Sequence, residues 1–395
     1  TRLIDGVRFE FQMTMGTEAP SEFVFYLPDF AALCMSEITS HHLHNVYTPR
    51  GAQVRDALDW SNQINESIEL FGDRLEVQFA SHHWPIWGRD AALTYLGKQR
   101  DLYKFIHDQT LRLANLGYTK DEIAEQVHLP DSLAREFYNR DYYGTVHHNA
   151  RAVYVKYLGY FDGNPATLFA LPPVDAARRY LDYMGGADAV VAKARDSYAD
   201  GDYRWVAEVL NHVVMADPEH IEGRALLADT FEQLGYQSES APWRNFFLSG
   251  ALELREGLPA GSAFQASAGM AANIPLENLF QTMAVRLNAE RVEGVVLTIN
   301  VEFSDTEPVV LSIENSVLHA RPGRRHDDAD ATIQTDSVSF KLLMAGATTA
   351  PELIAESKLR IDGNVMALAQ LGGYFDRFER RYPLVTPRRD WRAPE

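Results

Sequence analysis

Short apolar runs alternate with longer amphipathic stretches over the first 115 residues. The apolar runs predict strands at residues 8–13, 23–27, 32–35 and 74–79. Apolar residues at helical spacing predict helices at residues 53–70 and 90–116. Strand, loop and helix in this alternation are typical of an α/β layer, and functional side chains of such layers gather at the ends of the strands.

The pattern becomes entirely helical from about residue 117. Ala-rich helix–turn–helix segments then repeat with a period of about 34 residues, which resembles tetratricopeptide-type pairs and predicts a helical interaction layer. A Gly- and Pro-containing stretch at residues 257–262 is a predicted linker. Strands alternate with helices again after it, which predicts a small α+β domain. We therefore expect three domains, at residues 1–115, 116–257 and 262–395.

Composition narrows the classes of function. The 395 residues carry a net charge of −18, which argues against non-specific nucleic-acid binding because such binding needs a basic face. No window approaches the roughly 18 uninterrupted apolar residues of a membrane helix. Cys34 is the single cysteine, so an intrachain disulfide is not possible. Because the first residue is Thr and not Met, and residues 7–11 already have the pattern of a strand, we expect further residues ahead of Thr1, where a targeting segment would lie.

Three residues at predicted strand ends are candidate metal ligands. Glu18 follows the first strand, Glu37 follows the apolar run that ends at Met35, and His82 follows the strand at 74–79. Each alone has a plainer interpretation, as a solvated loop residue, a hydrogen-bonded carboxylate and a structural histidine. Together they share one kind of position in one α/β segment. That arrangement suits a divalent-metal site that keeps a water available for chemistry.

The polar loop at residues 40–51 contains three histidines within four residues. Supporting or structural roles are favoured for them, because His41 and His44 would need a helical turn to face one ion. Asn45 and Arg50 combine an amide donor with a guanidinium on the same loop. That pair suits a tetrahedral oxyanion such as sulfate or phosphate.

A second polar group begins a predicted helix. Tyr143, His147 and Arg151 recur every four residues and therefore share one helix face. The plainer interpretation is an interface or a capped helix face. The functional hypothesis is that this segment returns to the mouth of the α/β site.

As a set, these motifs resemble those of the alkyl sulfatases of the metallo-β-lactamase superfamily, which hydrolyse alkyl sulfate detergents. The matching motifs, in order along the chain, are Gly16-Thr17-Glu18-Ala19-Pro20, Cys34-Met35-Ser36-Glu37, His44-Asn45-Val46-Tyr47, Arg50-Gly51-Ala52, His82-His83-Trp84-Pro85 and Tyr157-Leu158-Gly159. The resemblance implies the second half of a metallo-β-lactamase-like αββα domain at 1–115 and a helical dimerisation domain at 116–257. It implies a sterol-carrier-like α+β domain at 262–395.

The resemblance implies two Zn²⁺ ions as the cofactor. Glu18 would be a ligand of the first zinc, Glu37 would bridge both ions, and His82 would bind the second, with His83 as the alternate. The family's remaining ligands come from a Thr-His-x-His-x-Asp-His motif, which does not occur in this sequence. We therefore expect residues 1–115 to be the second half of the catalytic domain, with the first half in a preceding region or a separate chain.

By the same resemblance, Asn45 and Arg50 would bind the sulfate, and Tyr143 and Arg151 would close over it. A zinc-activated hydroxide would hydrolyse alkyl sulfate esters such as dodecyl sulfate to alcohol and sulfate. The expected partners are this substrate and a second copy of the chain, and the expected location is periplasmic or secreted. Two alternatives remain, a phosphate-ester hydrolase on the same fold and a non-catalytic fragment for dimerisation and lipid binding.

Overall fold

The computed structural model describes residues 1–259, 268–378 and 381–388. The chain divides into two compact units, one formed by Thr1–Gly257 with Pro383–Glu395 and the other by Leu258–Tyr382. The predicted combination of α/β, all-α and α+β segments is confirmed. Part of the predicted linker, residues 260–262, lies outside the described residues. Within the described ranges, every helix is too short or too polar to cross a membrane.

A six-stranded sheet opens the first unit. Its strands are β1 (Arg2–Ile4), β2 (Val7–Met13), β3 (Phe23–Leu27), β4 (Ala32–Cys34), β5 (Val77–Phe79) and β6 (Ile86–Trp87). The strands follow one another in chain order across the sheet. Strands β4 and β5 are parallel, and the other pairings are antiparallel.

One face of this sheet packs against two helices. Val24 and Tyr26 point inward because side chains alternate along a strand. They belong to the same buried cluster as Trp60 of α1 (Ala57–Phe71) and residues of α2 (Arg89–Ala114). Predicted strands and helices thus occur where the apolar pattern placed them. Helix α1 begins later than predicted, since the Asp56 carboxylate accepts the backbone N–H groups of its first turn.

Between residues 117 and 257 every element is helical, as predicted. The α-helices are α3 (Lys120–Gln126), α4 (Asp131–Ala134), α5 (Val146–Leu158), α6 (Pro165–Leu168), α7 (Pro173–Met184), α8 (Ala187–Ala199), α9 (Tyr203–Ala216), α10 (Ile221–Gln237) and α11 (Ala241–Glu256), and one short 3-10 helix spans Phe137–Asn139. Helices α7 to α11 surround a single apolar cluster that includes Val206, Leu210 and Leu227. The boundary predicted near residue 115 falls just after α2, inside the first unit.

The second unit is a mixed sheet covered by helices. Its strands are β7 (Leu297–Phe303), β8 (Val309–Glu314), β9 (Val317–Pro322), β10 (Ala331–Thr335) and β11 (Leu359–Gly363), in the order β11-β10-β7-β8-β9. Its helices are α12 (Ala268–Asn273), α13 (Leu276–Arg286), α14 (Ser337–Met344), α15 (Ala350–Ala355) and α16 (Val365–Gly373). The alternation of strands and helices predicted for this segment is confirmed.

Strand direction determines where the polar loops meet. Because β4 and β5 are parallel, their C-terminal ends lie at the same edge of the sheet. Strand β2 runs in the same direction as β4, since two antiparallel pairings separate them. The loops after β2, β4 and β5 therefore converge at one edge.

Candidate active site

Glu37 is the centre of this edge. Its Oε1 lies 3.1 Å from Nε2 of His82 and 3.5 Å from Nε2 of His44. The predicted pairing of a carboxylate after β4 with a histidine after β5 is therefore present as a contact. His83, the alternate, is in the left-handed region with φ of 70°, and its ring faces His41 and His42 instead.

Two carboxylates and one histidine form a group of possible metal-ligand atoms among the described residues. One ligand atom each from Glu18, Glu37 and His44 lie within 4.8 Å of one another. The sequence predicts Glu18 and Glu37 as ligands of one site together with His82, although 19 residues separate the two carboxylates. The sequence predicts a supporting or structural role for His44. The structure places the His44 ring in this group. Among the residues of the group, His82 contacts Glu37.

The hydrogen bonding of His44 indicates that this group fits a metal. Nδ1 of His44 lies 3.1 Å from the backbone oxygen of Asn45, so Nδ1 carries the proton and donates it. Nε2 is buried, lies 3.5 Å from Oε1 of Glu37, and forms no hydrogen bond with a residue that the structure describes. A buried ring nitrogen without a hydrogen bond, in one group with two carboxylates, fits the position of a metal ligand. A histidine whose second nitrogen donates to a carbonyl is also the usual form of a zinc ligand.

Arg55 holds Glu18 and the Asn45 loop together. Its Nε donates to the backbone oxygen of Glu18 at 2.6 Å, and its Nη2 donates to the Glu18 carboxylate at 2.5 Å. Its Nη1 donates to the backbone oxygen of Asn45 at 2.7 Å. This guanidinium fixes the distance between two loops that come from different strands. The role of Arg55 is not predicted from the sequence, because no local motif singles it out.

Burial and neighbouring groups shift the pKa values of the carboxylic acids in this cluster. Contact with His44, with a smaller effect of His82, lowers the pKa of Glu37 to about 2. Burial raises the pKa of Glu22 to about 7, and its carboxylate accepts the backbone N–H of Glu37 at 3.3 Å. Glu22, another residue missed from sequence, therefore titrates near neutral pH. The edge is an acidic pocket that favours a cation.

Hydrogen bonds from Asn149 and Gly144 of the helical segment hold the Asn45 loop. Asn149 of α5 is fully buried, accepts the backbone N–H of Val46 at 2.9 Å and donates to the backbone oxygen of His44 at 2.8 Å. Gly144 donates its N–H to Leu43 at 2.8 Å. The loop thus takes its shape from residues about a hundred positions further along the chain.

The predicted substrate residues separate into two groups. Asn45, Arg50 and Tyr143 line one cavity of about 450 Å³. Arg151 does not line it, because its Nε forms an ion pair with Asp121 at 2.8 Å on the helical side. The structure therefore brings three of the four together. Their role in substrate binding stays a prediction.

Two further histidines belong to an aromatic cluster. The His41 ring stacks on Trp84 and Phe137. His42 contacts the ring of Tyr143, and burial lowers its pKa to about 3, so it is neutral at physiological pH. These contacts agree with the structural role expected for both.

Two family models match the chain. The alkyl sulfatase dimerisation model matches residues 119–257, and the alkyl sulfatase C-terminal model matches residues 265–387. Together they cover the helical segment and the second unit.

Solved and curated relatives match nearly the whole chain. A linear primary-alkylsulfatase from Pseudomonas sp. is 45% identical over 98% of this chain and 58% of its own length. A second Pseudomonas linear primary-alkylsulfatase is 33% identical, over 94% of this chain and 72% of its own length. The structure of the stereoselective inverting sec-alkylsulfatase Pisa1 from Pseudomonas sp. superposes with a TM-score of 0.93 at 41% identity, covering 98% of this chain and 61% of that one.

The chain spans about three fifths of the length of the first two curated relatives, 58% and 60%. The match to the second Pseudomonas enzyme covers more than two thirds of that relative at 33% identity. Fold, motifs and relatives agree, and the chain belongs to the alkylsulfatase family.

Proposed function

We propose that this protein hydrolyses alkyl sulfate esters to an alcohol and sulfate, with zinc as its metal. The observation that carries the proposal is the grouping of Glu18, Glu37 and His44, in which Nε2 of His44 is buried without a hydrogen bond to any described residue. The next residue, Asn45, lines a cavity together with Arg50. Hydrolysis of a negatively charged ester requires groups that bind its charged oxygens, and a metal ion beside them can activate the attacking water. The names of the relatives support alkyl sulfate as the substrate class.

Each residue has a role in this proposal. Glu18, Glu37 and His44 would hold one zinc, and His82, in contact with Glu37, is placed for a second ion that Glu37 would bridge. When bound, zinc supplies a Lewis acid that activates water at neutral pH.

The substrate loop would bind the charged end of the ester. Arg50 makes no ion pair with any described residue, so its guanidinium is available for the sulfate oxygens. The Asn45 amide would donate to an oxygen on which charge develops, and removal of such a donor typically lowers kcat by about 10²–10³. Arg55 and Asn149 would hold the backbone of the loop that carries Asn45 in position, without contacting the substrate.

The test compares Glu37→Gln with Glu76→Gln in the intact protein. Glu76 is an exposed carboxylate beside β5 and makes the matched control. Zinc content is measured by plasma mass spectrometry, and dodecyl sulfate hydrolysis by released sulfate. We expect both to fall in Glu37→Gln and neither in Glu76→Gln. Full zinc and full activity in Glu37→Gln would show that Glu37 is not a bridging ligand.

The same experiment separates sulfate from phosphate esters. Dodecyl phosphate is offered beside dodecyl sulfate under identical conditions. Faster hydrolysis of the phosphate would favour a phosphate-ester hydrolase on this fold.

We also propose a homodimer through the helical segment. The family model for residues 119–257 is described as dimerisation, and this segment exposes large apolar side chains. Tyr160 is 79% exposed and Phe169 is fully exposed, which suits a surface covered by a second copy. Light scattering on Tyr160→Lys with Phe169→Lys should show a weaker dimer than Val296→Lys, an exposed control elsewhere. Equal dimer stability would place the interface on another surface.

A further inference from the structure

The backbone between Glu37 and Asn45 is irregular and buried. Residues 38–44, all of which the structure describes, contain neither a helix nor a strand, and an isolated bridge joins Ser40 to His42. Each of these seven residues is at most 8% exposed. Backbone groups of such a segment need hydrogen-bond partners from other parts of the chain. The position of Glu37 relative to Asn45 therefore depends on the groups that bind this backbone.

Two aromatic side chains bind the two ends of the segment. Nε1 of Trp60, in α1, donates to the backbone oxygen of Ile38 at 2.8 Å. The hydroxyl of Tyr103, in α2, accepts the backbone N–H of His44 at 3.2 Å. Two different helices thus supply one hydrogen bond each to the same segment.

The two aromatic rings also stack on each other. Their centroids lie 4.6 Å apart, and their planes differ by 18°. Both side chains are fully buried in the core that the sheet shares with α1 and α2. The ring of His44 lies against the other face of this arrangement only through Trp60, with 5.4 Å between their centroids. Because protein interiors are close-packed, Trp60 and Tyr103 restrict each other and act as one pair, called here the Trp60–Tyr103 pair.

The residues that this pair binds are direct neighbours of two proposed site residues. Ile38 follows Glu37, and His44 precedes Asn45. A shift of the Ile38 or His44 backbone would therefore move the adjoining carboxylate or amide. Loss of either bond leaves a buried backbone group unpaired, which favours such a shift.

We propose that the Trp60–Tyr103 pair is a positioning device, which holds Glu37 and Asn45 in the relative position in which one binds the metal and the other the sulfate. This inference rests on the proposed function. Because both rings are fully buried, they act through the backbone of residues 38–44 and not on the substrate.

The test compares Tyr103→Phe with Tyr26→Phe in the intact protein. Tyr103→Phe removes the hydroxyl that binds the segment and keeps the ring that stacks on Trp60. Tyr26 is also buried and stacks on Phe71 with 5.3 Å between the centroids, and its hydroxyl donates to the backbone oxygen of Arg74 at 2.5 Å. Both variants lose one buried hydroxyl from a stacked tyrosine, and they differ in the segment that loses its partner.

Three quantities are measured for each variant. They are the zinc dissociation constant by chelator competition, kcat and KM for dodecyl sulfate, and amide hydrogen exchange of residues 38–45 in the metal-free protein. In Tyr103→Phe, zinc affinity and kcat should fall about 10- to 100-fold, as is typical for groups that orient metal ligands. Exchange should be about tenfold faster, because one hydrogen bond is lost. Tyr26→Phe should keep the wild-type values of all three.

Two results would overturn the inference. One is that Tyr103→Phe matches Tyr26→Phe in all three measurements. The other, in a protein that binds zinc, is faster exchange with unchanged zinc affinity and kcat, because the pair would then only stabilise the fold. If Tyr103→Phe does not fold, Trp60→Phe decides, since it keeps a ring but removes the bond to Ile38. It should show the same three changes, and wild-type values would overturn the inference.

Exchange in the metal-free protein separates this inference from the proposed function. A wild type that binds no zinc and hydrolyses no alkyl sulfate would refute the function. Faster exchange of residues 38–45 in Tyr103→Phe alone would still support the pair as the device that fixes Glu37 relative to Asn45. Hydrolysis by the wild type that is unchanged in Tyr103→Phe would refute the positioning role and leave the function standing.

Discussion

Gly144 lies directly against the backbone of the loop that carries His44 and Asn45. A Cβ added at Gly144 would lie 2.5 Å from the backbone oxygen of His44, 2.7 Å from its carbonyl carbon and 2.9 Å from the nitrogen of Asn45. All three neighbours are backbone atoms, so no side chain can rotate away. Gly144→Ala must therefore displace one backbone segment from the other by several tenths of an ångström or more.

The cost follows from the contacts that this displacement breaks. Overpacking of this kind typically costs about 1–3 kcal/mol. Stretching the Gly144 N–H bond to Leu43 adds about 0.5–1.5 kcal/mol. We therefore expect the first unit of Gly144→Ala to be destabilised by roughly 2–4 kcal/mol, with His44 and Asn45 moved from their positions.

Gly97→Ala is the matched control. Gly97 is in the interior of α2 and has open space where a Cβ would be. Alanine there should stabilise the helix by about 0.5–1 kcal/mol. Urea unfolding followed by circular dichroism gives both midpoints, and dodecyl sulfate hydrolysis reports the site. If Gly144→Ala unfolds at the same urea concentration as Gly97→Ala, the close approach does not constrain the loop.

Two further predictions concern polar groups near the same loop. Asn149→Ala leaves the backbone N–H of Val46 and the backbone oxygen of His44 unpaired. It should lower the free energy of unfolding, measured with urea, by about 2–4 kcal/mol. The control Asn115→Ala removes one exposed hydrogen bond and should lower it far less. A cost for Asn149→Ala equal to that control would mean that water replaces both bonds. Burial raises the pKa of Asp141 to about 6 from 3.8. The folded state therefore binds a proton that the unfolded state has released, and stability falls as pH rises from about 4 to about 6. Asp141→Asn should remove that loss of stability. Above pH 6 the variant should therefore have a free energy of unfolding roughly 1–3 kcal/mol higher than that of the wild type, and near pH 4 the two should be equal. A difference in unfolding free energy that does not change with pH would contradict this assignment.

Local patterns were enough to place most elements of the fold. Alternation in β3 separates the buried Val24 and Tyr26 from Phe23 and Phe25 on the other face. Helical spacing located α2 within one or two residues of its observed ends. These patterns indicate which face of each helix or strand is buried, and they can be recognised from the residues of that element alone.

The site was only partly accessible from sequence. Glu37 and His82 were predicted together because each follows a strand, and parallel pairing of β4 with β5 does bring them into contact. The place of His44 beside Glu18 and Glu37 was not predicted. The backbone between Ser40 and Asn45 is irregular, and no periodic rule states which way a side chain of such a loop points.

The sequence by itself determined the order of strands and helices, the acidic balance, the strand-end positions of Glu18, Glu37 and His82, and the resemblance to alkyl sulfatases. Tertiary structure alone decided that Arg55 joins Glu18 to Asn45, and that Leu384 and Val385 return to helix α11. The physical reason is distance along the chain. Burial patterns and helix caps depend on near neighbours, whereas these contacts join residues from 10 to more than 130 positions apart and exist only after the elements have packed.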